Sequence, residues 1–120
     1  MTNFISRFAL KFALVTLSIS GAAQAEDLLV SEYRIAKNSP TTRHWISAAG
    51  EAIYTMNYRL ETTGRQVLFC PPDKMRLMTE NYITILELEL ARQGKKEMLG
   101  LYSVADILMD GLVRTFPCKK

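Results

Sequence analysis

Apolar residues recur at spacings of three and four in three long segments of this chain, and this repeat limits the fold more than any other feature. At 3.6 residues per turn, such a repeat places the apolar side chains along one face of a helix. We predict helices over residues 42–62, 73–92 and 97–115. The apolar stripes expected to face the core are Trp45, Ala49, Ala52, Ile53, Met56 and Leu60, then Met75, Met78, Tyr82, Ile85, Leu86 and Leu90, then Leu101, Ala105, Leu108, Leu112 and Phe116.

Short polar or proline-containing connections separate these segments. A shorter helix over residues 27–37 precedes them, and residues 66–69 are expected to be extended. Residues 86–90 alternate Leu and Glu, as a strand would, but both residue types favour helix and the segment continues a helical repeat. The predicted fold is all-α: a small antiparallel bundle of three long helices and one short N-terminal helix.

The first 25 of the 120 residues have the layout of a secretory signal peptide. Arg7 and Lys11 precede an apolar run over residues 12–19, and small residues then lead to Ala25. Cleavage after Ala25 and a periplasmic location are therefore predicted, with residues 26–120 as the mature domain. Removing two basic residues changes 15 Lys and Arg against 12 Asp and Glu to 13 against 12. This near-neutral charge argues against a nucleic-acid binder.

Cys70 and Cys118 are the only cysteines, and export would take both to an oxidising compartment. An intramolecular disulfide is therefore the first interpretation, and it would close a loop of about 49 residues and stabilise the fold by about 4 kcal/mol. Unpaired or intermolecular thiols remain an alternative. A metal site using both thiolates and His44 is less favoured, because neither cysteine belongs to a short paired spacing.

No arrangement of catalytic residues is evident in the sequence. His44 is the only histidine, and it falls in the first turn of a predicted helix. Glu87 and Glu89 are two residues apart, so on a helix they point to different sides and do not form an acid–base pair. We expect no catalysis, no cofactor and no metal.

Some large residues fall outside the three stripes. Tyr54 and Tyr58 are one turn apart on the second helix, roughly opposite its stripe, and Leu77, Leu88 and Ile107 are similarly displaced on later helices. In one interpretation, these residues are scattered on the surface or belong to a second buried face. In the other, they form a surface that binds another protein or a second copy of this chain. Tyrosine suits the latter because it offers a large contact area at a small entropic cost.

The polar turn between the last two helices consists of Gln93, Gly94, Lys95 and Lys96. A solvated loop is the simplest interpretation of this turn. As an alternative, the two lysines would enter an acidic cleft on a partner. This turn, together with Tyr54 and Tyr58, is the predicted partner-binding site.

Phe69-Cys70-Pro71-Pro72, paired with Phe116-Pro117-Cys118 after a long aliphatic helix, resembles the Rap/Tai family of type VI secretion immunity proteins over residues 45–118. The resemblance implies an all-helical periplasmic protein, often a homodimer, that binds a secreted peptidoglycan amidase and blocks its active site. It also implies that Cys70 and Cys118 form the structural disulfide, packed by Pro71, Phe116 and Pro117. The chain departs from many members in having no cysteine before Cys70.

Two functions follow as hypotheses. The first is an immunity protein that inhibits a cognate amidase. The second is a small periplasmic stress chaperone or structural interaction protein held by one disulfide, which would bind many clients weakly.

Overall fold

A computed structural model describes residues 27–120, so the predicted signal peptide lies outside the described residues. Helices α1 (Val30–Ala36), α2 (Pro40–Thr62), α3 (Thr79–Gln93) and α4 (Val104–Thr115) are present, with a 3₁₀ turn at Leu99–Leu101 before α4. The all-α class and the single disulfide are confirmed, and no strand occurs within 27–120. The α-helices have 7, 23, 15 and 12 residues, so their lengths vary and do not divide clearly into three long helices and one short one.

Helix α2 begins earlier than predicted because its start is well capped. The Ser39 hydroxyl accepts a hydrogen bond from the Thr42 amide at 3.1 Å, and Pro40 occupies the first turn, where its missing amide hydrogen costs nothing. The helix ends before Gly64, whose φ of +68° places it in the left-handed region.

The third helix starts at Thr79, so its predicted start at residue 73 is wrong. Residues 72–75 form a turn in which the Met75 amide donates to the Pro72 carbonyl at 3.1 Å. Lys74 adopts a φ of +61° there, which an α-helix does not allow. The helix begins where the Asn81 side chain accepts the Met78 amide at 2.8 Å, so capping overrides the apolar spacing of the preceding residues.

The predicted last helix, 97–115, is divided in two. The extended backbone of Tyr102 separates the 3₁₀ turn from α4. The Val30 amide donates to the Tyr102 carbonyl at 2.9 Å, and the Val104 amide donates to the Leu28 carbonyl at 2.8 Å. These bonds to the N-terminal segment replace the helical bonds that a continuous helix would make.

The buried face of α2 is rotated by about 80° from the predicted stripe, at 100° per residue. Ile46, Gly50 and Asn57 are buried, whereas Met56 is exposed. A Cβ atom on Gly50 would lie 2.6 Å from ring atoms of Tyr82, so α2 and α3 approach closely only through this glycine. Close packing at Gly50 therefore selects the face of α2 that turns inward.

One continuous core joins all four helices. Leu77 and Ile107, which lie outside the predicted stripes, belong to this core, and Ile107 is only 1% exposed. Leu88 and Tyr58 are exposed. Leu77 and Ile107 are therefore parts of a second buried face, whereas the exposure of Leu88 and Tyr58 fits both a scattered surface residue and a binding surface. The core residues are Val30, Tyr33, Ile46, Phe69, Leu77, Tyr82, Ile85, Leu86, Leu90, Leu99, Val104, Ile107, Leu108 and Leu112.

Candidate functional site

A cleft lies between the C-terminal half of α2 and the segment 67–75, and we call it the tyrosine groove. It encloses about 720 Å³. Its lining brings together two tyrosines from α2 and the turn around Pro71 and Pro72 of the facing segment, which we call the proline corner. The lining includes Tyr54, Tyr58, Phe69, Pro71, Pro72 and Met75. The sequence predicted both tyrosines as partner-binding residues but did not place them beside the corner.

The floor of the groove depends on Asn57, a buried amide on α2. Its Nδ2 donates to the Phe69 carbonyl at 2.9 Å. Its Oδ1 accepts the Leu68 amide at 2.8 Å and the Phe69 amide at 3.3 Å. One side chain therefore satisfies three backbone groups of residues 68 and 69, in a segment that has no regular secondary structure and bends at Leu68, so the predicted extended conformation of residues 66–69 is not regular.

Tyr54 holds the other end of the same segment. Its hydroxyl donates to the Met75 carbonyl at 2.9 Å, and its ring packs at a tilt on Phe69 with ring centroids 5.9 Å apart. Burial, followed by the negative charges of Glu51 and Glu61, raises the pKa of Tyr54, so the hydroxyl keeps the proton that it donates. Tyr54 is therefore part of the wall of the groove, and its hydroxyl is engaged with the Met75 carbonyl.

The disulfide joins the groove to the end of α4. Cys70 and Cys118 are bonded with their Cα atoms 4.9 Å apart, and no free cysteine occurs in the described part of the chain. The Cys70 amide also donates to the Phe116 carbonyl at 2.8 Å. Segment 67–75 is thus attached to α2 by side chains and to the end of α4 by a covalent bond.

Tyr58 is a solvent-exposed aromatic residue in the groove lining. It lies one turn after Tyr54 on α2 and is 58% exposed. Glu61 from α2 and Asp73 and Lys74 from the corner add charged groups to the lining. An aromatic surface with a charged border on a rigid support is typical of a protein contact site.

The predicted turn residues Gln93, Gly94, Lys95 and Lys96 are not part of the groove lining in the described structure. Gly94 ends α3 with a φ of +68°. Lys95 and Lys96 are exposed, whereas the Gln93 Nε2 donates to Glu89 at 3.1 Å. The groove lining therefore contains the tyrosine half of the predicted partner site and not the turn.

A second polar cluster centres on Glu89, which is 2% exposed. Its carboxylate accepts hydrogen bonds from Arg92 at 2.7 Å, from Gln93 at 3.1 Å and from Arg114 of α4 at 3.1 Å. The Arg92 hydrogen bond is the largest influence on this carboxyl and, with the other donors, outweighs the opposing effect of burial. The pKa of Glu89 is thereby lowered to about 2. This cluster joins α3 to α4.

We expect Glu89→Gln to lower the free energy of unfolding at pH 7 by about 1–3 kcal/mol, because charge-assisted hydrogen bonds across α3 and α4 are lost. Because folding depresses the pKa of Glu89, its stabilisation is complete above about pH 5 and is lost as the pH falls toward 2. The wild-type and variant stabilities should therefore converge at low pH.

Urea unfolding at several pH values measures this convergence. Glu80→Gln is the matched control, since Glu80 pairs with Arg43 at the surface and its side chain is 71% exposed. It should cost less than about 1 kcal/mol. A gap between wild type and Glu89→Gln that stays constant from pH 7 to pH 2 would contradict the assignment.

No group of three or more His, Cys, Asp or Glu side chains suited to a metal ion occurs between residues 27 and 120. His44 is exposed, and its Nδ1 donates to the Pro40 carbonyl at 2.8 Å. Within the same range, no helix is long and apolar enough to cross a membrane.

Comparison of the chain with protein-family models, with curated proteins and with solved structures finds no match.

Proposed function

We propose that this protein is an exported, non-catalytic immunity protein of the Rap/Tai type, which binds a type VI secreted peptidoglycan amidase and blocks its active site. The signal-peptide layout of residues 1–25 supports export to the periplasm. The disulfide is compatible with an extracytoplasmic location. Inhibition requires only a complementary surface, so the hypothesis needs no catalytic group on this chain.

The observation that carries the proposal is the exposed Tyr58 on a rigid groove. Asn57 and the Cys70–Cys118 disulfide hold the groove wall before any partner arrives, so little conformational entropy is lost on binding. An interface of standard size needs about 800 Å² from each partner. The groove is bordered by α2 and by the proline corner, and Tyr58 is the aromatic residue at the centre of the proposed interface.

The direct test is coexpression in the periplasm with an amidase encoded beside this protein, scored by cell survival, together with calorimetric titration of the purified pair. We expect rescue of growth and a saturable complex in which the amidase loses activity. Absence of both rescue and binding would refute the proposal.

Within that complex, Tyr58→Ala should weaken binding by about 1–3 kcal/mol, because a central aromatic side chain often dominates an interface. Tyr102→Ala is the matched control, since Tyr102 is similarly exposed but lies before α4 and outside the groove lining. Titration of both variants measures the difference. Equal losses for the two tyrosines would show that the groove is not the contact site.

A stress chaperone is the second candidate, and the exposed apolar side chains favour it. Ile35, Leu88 and Leu101 are all largely solvent-exposed. Such residues could hold unfolded clients. Prevention of aggregation of unrelated proteins at low pH, without rescue from the amidase, would support this function over the immunity role.

A further inference from the structure

The disulfide brings two basic segments to one end of the molecule. Lys74 and Arg76 follow Cys70, and Lys119 and Lys120 follow its partner Cys118. With the two cysteine Cα atoms 4.9 Å apart, the Lys119 Cα lies within about 9 Å of the Cys70 Cα, since consecutive Cα atoms are about 3.8 Å apart. We call Lys74, Arg76, Lys119 and Lys120 the basic corner.

The four cations of the basic corner are exposed, and none forms an ion pair with another residue in 27–120. Residues 27–120 contain 13 Lys and Arg and 11 Asp and Glu. Segments 70–76 and 118–120 hold four of these cations and one acid, Asp73, which leaves nine cations against ten acids elsewhere, Glu61 of the groove lining among them. The excess positive charge of the domain is therefore concentrated at this end.

Exposed apolar side chains are close to these cations in the sequence. Leu68 lies two residues before Cys70, and Met75 and Met78 lie on either side of Arg76. Because the Met75 carbonyl is held by Tyr54 and Cys70 is held by the disulfide, the segment that carries these side chains has a fixed shape. Apolar side chains among cations are the composition that binds at the boundary between lipid headgroups and acyl chains.

We propose that the basic corner docks the protein onto the surface of a bilayer that contains anionic phospholipids. The lysines and Arg76 contact the headgroup phosphates, while Leu68, Met75 and Met78 enter the space between headgroups. A lipid surface is favoured over an acidic protein because an array of mobile phosphates requires no fixed register from four long, flexible side chains. Lys74 and Met75 also line the tyrosine groove, whereas Lys119 and Lys120 do not, so substituting these two lysines tests membrane docking separately from amidase inhibition.

The test uses sedimentation of the mature protein with vesicles of equal parts phosphatidylglycerol and phosphatidylcholine, and with vesicles of phosphatidylcholine alone. We expect binding to the anionic vesicles only, weakened when salt is raised to about 0.15 M. The double variant Lys119→Gln, Lys120→Gln should bind the anionic vesicles about 10- to 30-fold more weakly. Each lysine close to an anionic lipid surface contributes a similar factor to the binding affinity, and this variant removes two.

Lys95→Gln with Lys96→Gln is the matched control, because it removes two exposed lysines from the turn after α3 and gives the same net charge. This control should keep most of the wild-type binding. Equal losses for the two pairs, or equal binding to neutral vesicles, would overturn the proposal. Absence of binding to both kinds of vesicle would also show that the membrane proposal is wrong. If, in addition, the Lys119, Lys120 variant binds the amidase more weakly than wild type, the basic corner is a protein contact.

Discussion

Replacing both Cys70 and Cys118 by Ser should lower the free energy of unfolding by about 2–4 kcal/mol. The loop between them spans a sequence separation of 48, and opening it restores conformational freedom to the unfolded chain. That loss is a large fraction of the 5–10 kcal/mol typical of a small domain. Urea unfolding of the mature protein measures it, with a thiol assay that confirms the oxidised state of the wild type.

The reduced wild type provides the control for this experiment, because it lacks the same bond without any change of sequence. It should match the double-serine variant within error. An unchanged urea midpoint in both samples would show that the disulfide does not stabilise the domain. Two reactive thiols in protein purified from the periplasm would contradict the pairing itself.

Asn57→Ala should cost about 2–4 kcal/mol of stability, although it removes only one amide from α2. Leu68 and Phe69 would lose the partners of two amides and one carbonyl, and a buried backbone group without a partner costs about 1–3 kcal/mol. Because these bonds form the groove floor, binding of the proposed amidase partner should also weaken at temperatures where the variant remains folded.

Asn38→Ala is the control for this substitution, since Asn38 is exposed in the turn between α1 and α2. It should change stability by no more than about 0.5 kcal/mol. Thermal unfolding of the two variants separates the effects. An Asn57→Ala protein as stable as Asn38→Ala would mean that water replaces the amide, and the groove would then not depend on Asn57.

Helix content was predictable because the apolar repeat is strong, whereas helix faces and ends were not. On α2 the alanines and Met56 form a plausible stripe, but Gly50 permits a closer contact with Tyr82 than any larger residue could. A periodicity argument counts apolar side chains and ignores the space that a glycine leaves for a neighbour. The predicted start of α3 failed for a related reason, since the hydrogen bond between Asn81 and Met78 depends on backbone geometry.

The groove was only half predictable. The off-stripe positions of Tyr54 and Tyr58 marked one wall, but the structure assigns them different roles, with Tyr54 bonded to Met75 and Tyr58 open. Asn57 was missed because asparagine is usually a surface or turn residue. Its spacing of seven from Gly50 and eleven from Ile46 was the available signal, since it places a polar side chain on the buried face.

Glu89 carried a similar signal. It lies four residues after Ile85 and three after Leu86, within the apolar face of α3. In the sequence, Glu89 was considered only with Glu87 as a possible acid–base pair, and its place on the buried face was missed. A carboxylate on a buried face requires cationic partners, and Arg92 was available one turn later. Arg114 could not be identified from the sequence, because it approaches from another helix.

The hydrogen bonds that tie residues 28–30 to residues 102–104 affect the order in which the domain can form. Helix α1 packs against the 3₁₀ turn at Leu99–Leu101, about 70 positions later in the chain. Such distant pairings form late, because a long loop must close before they give any stabilisation. During synthesis the leading helix has no docking site until most of the chain has been made. Helix α1 therefore joins the fold only after residues 99–104 have been synthesised, so this end of the domain is completed last.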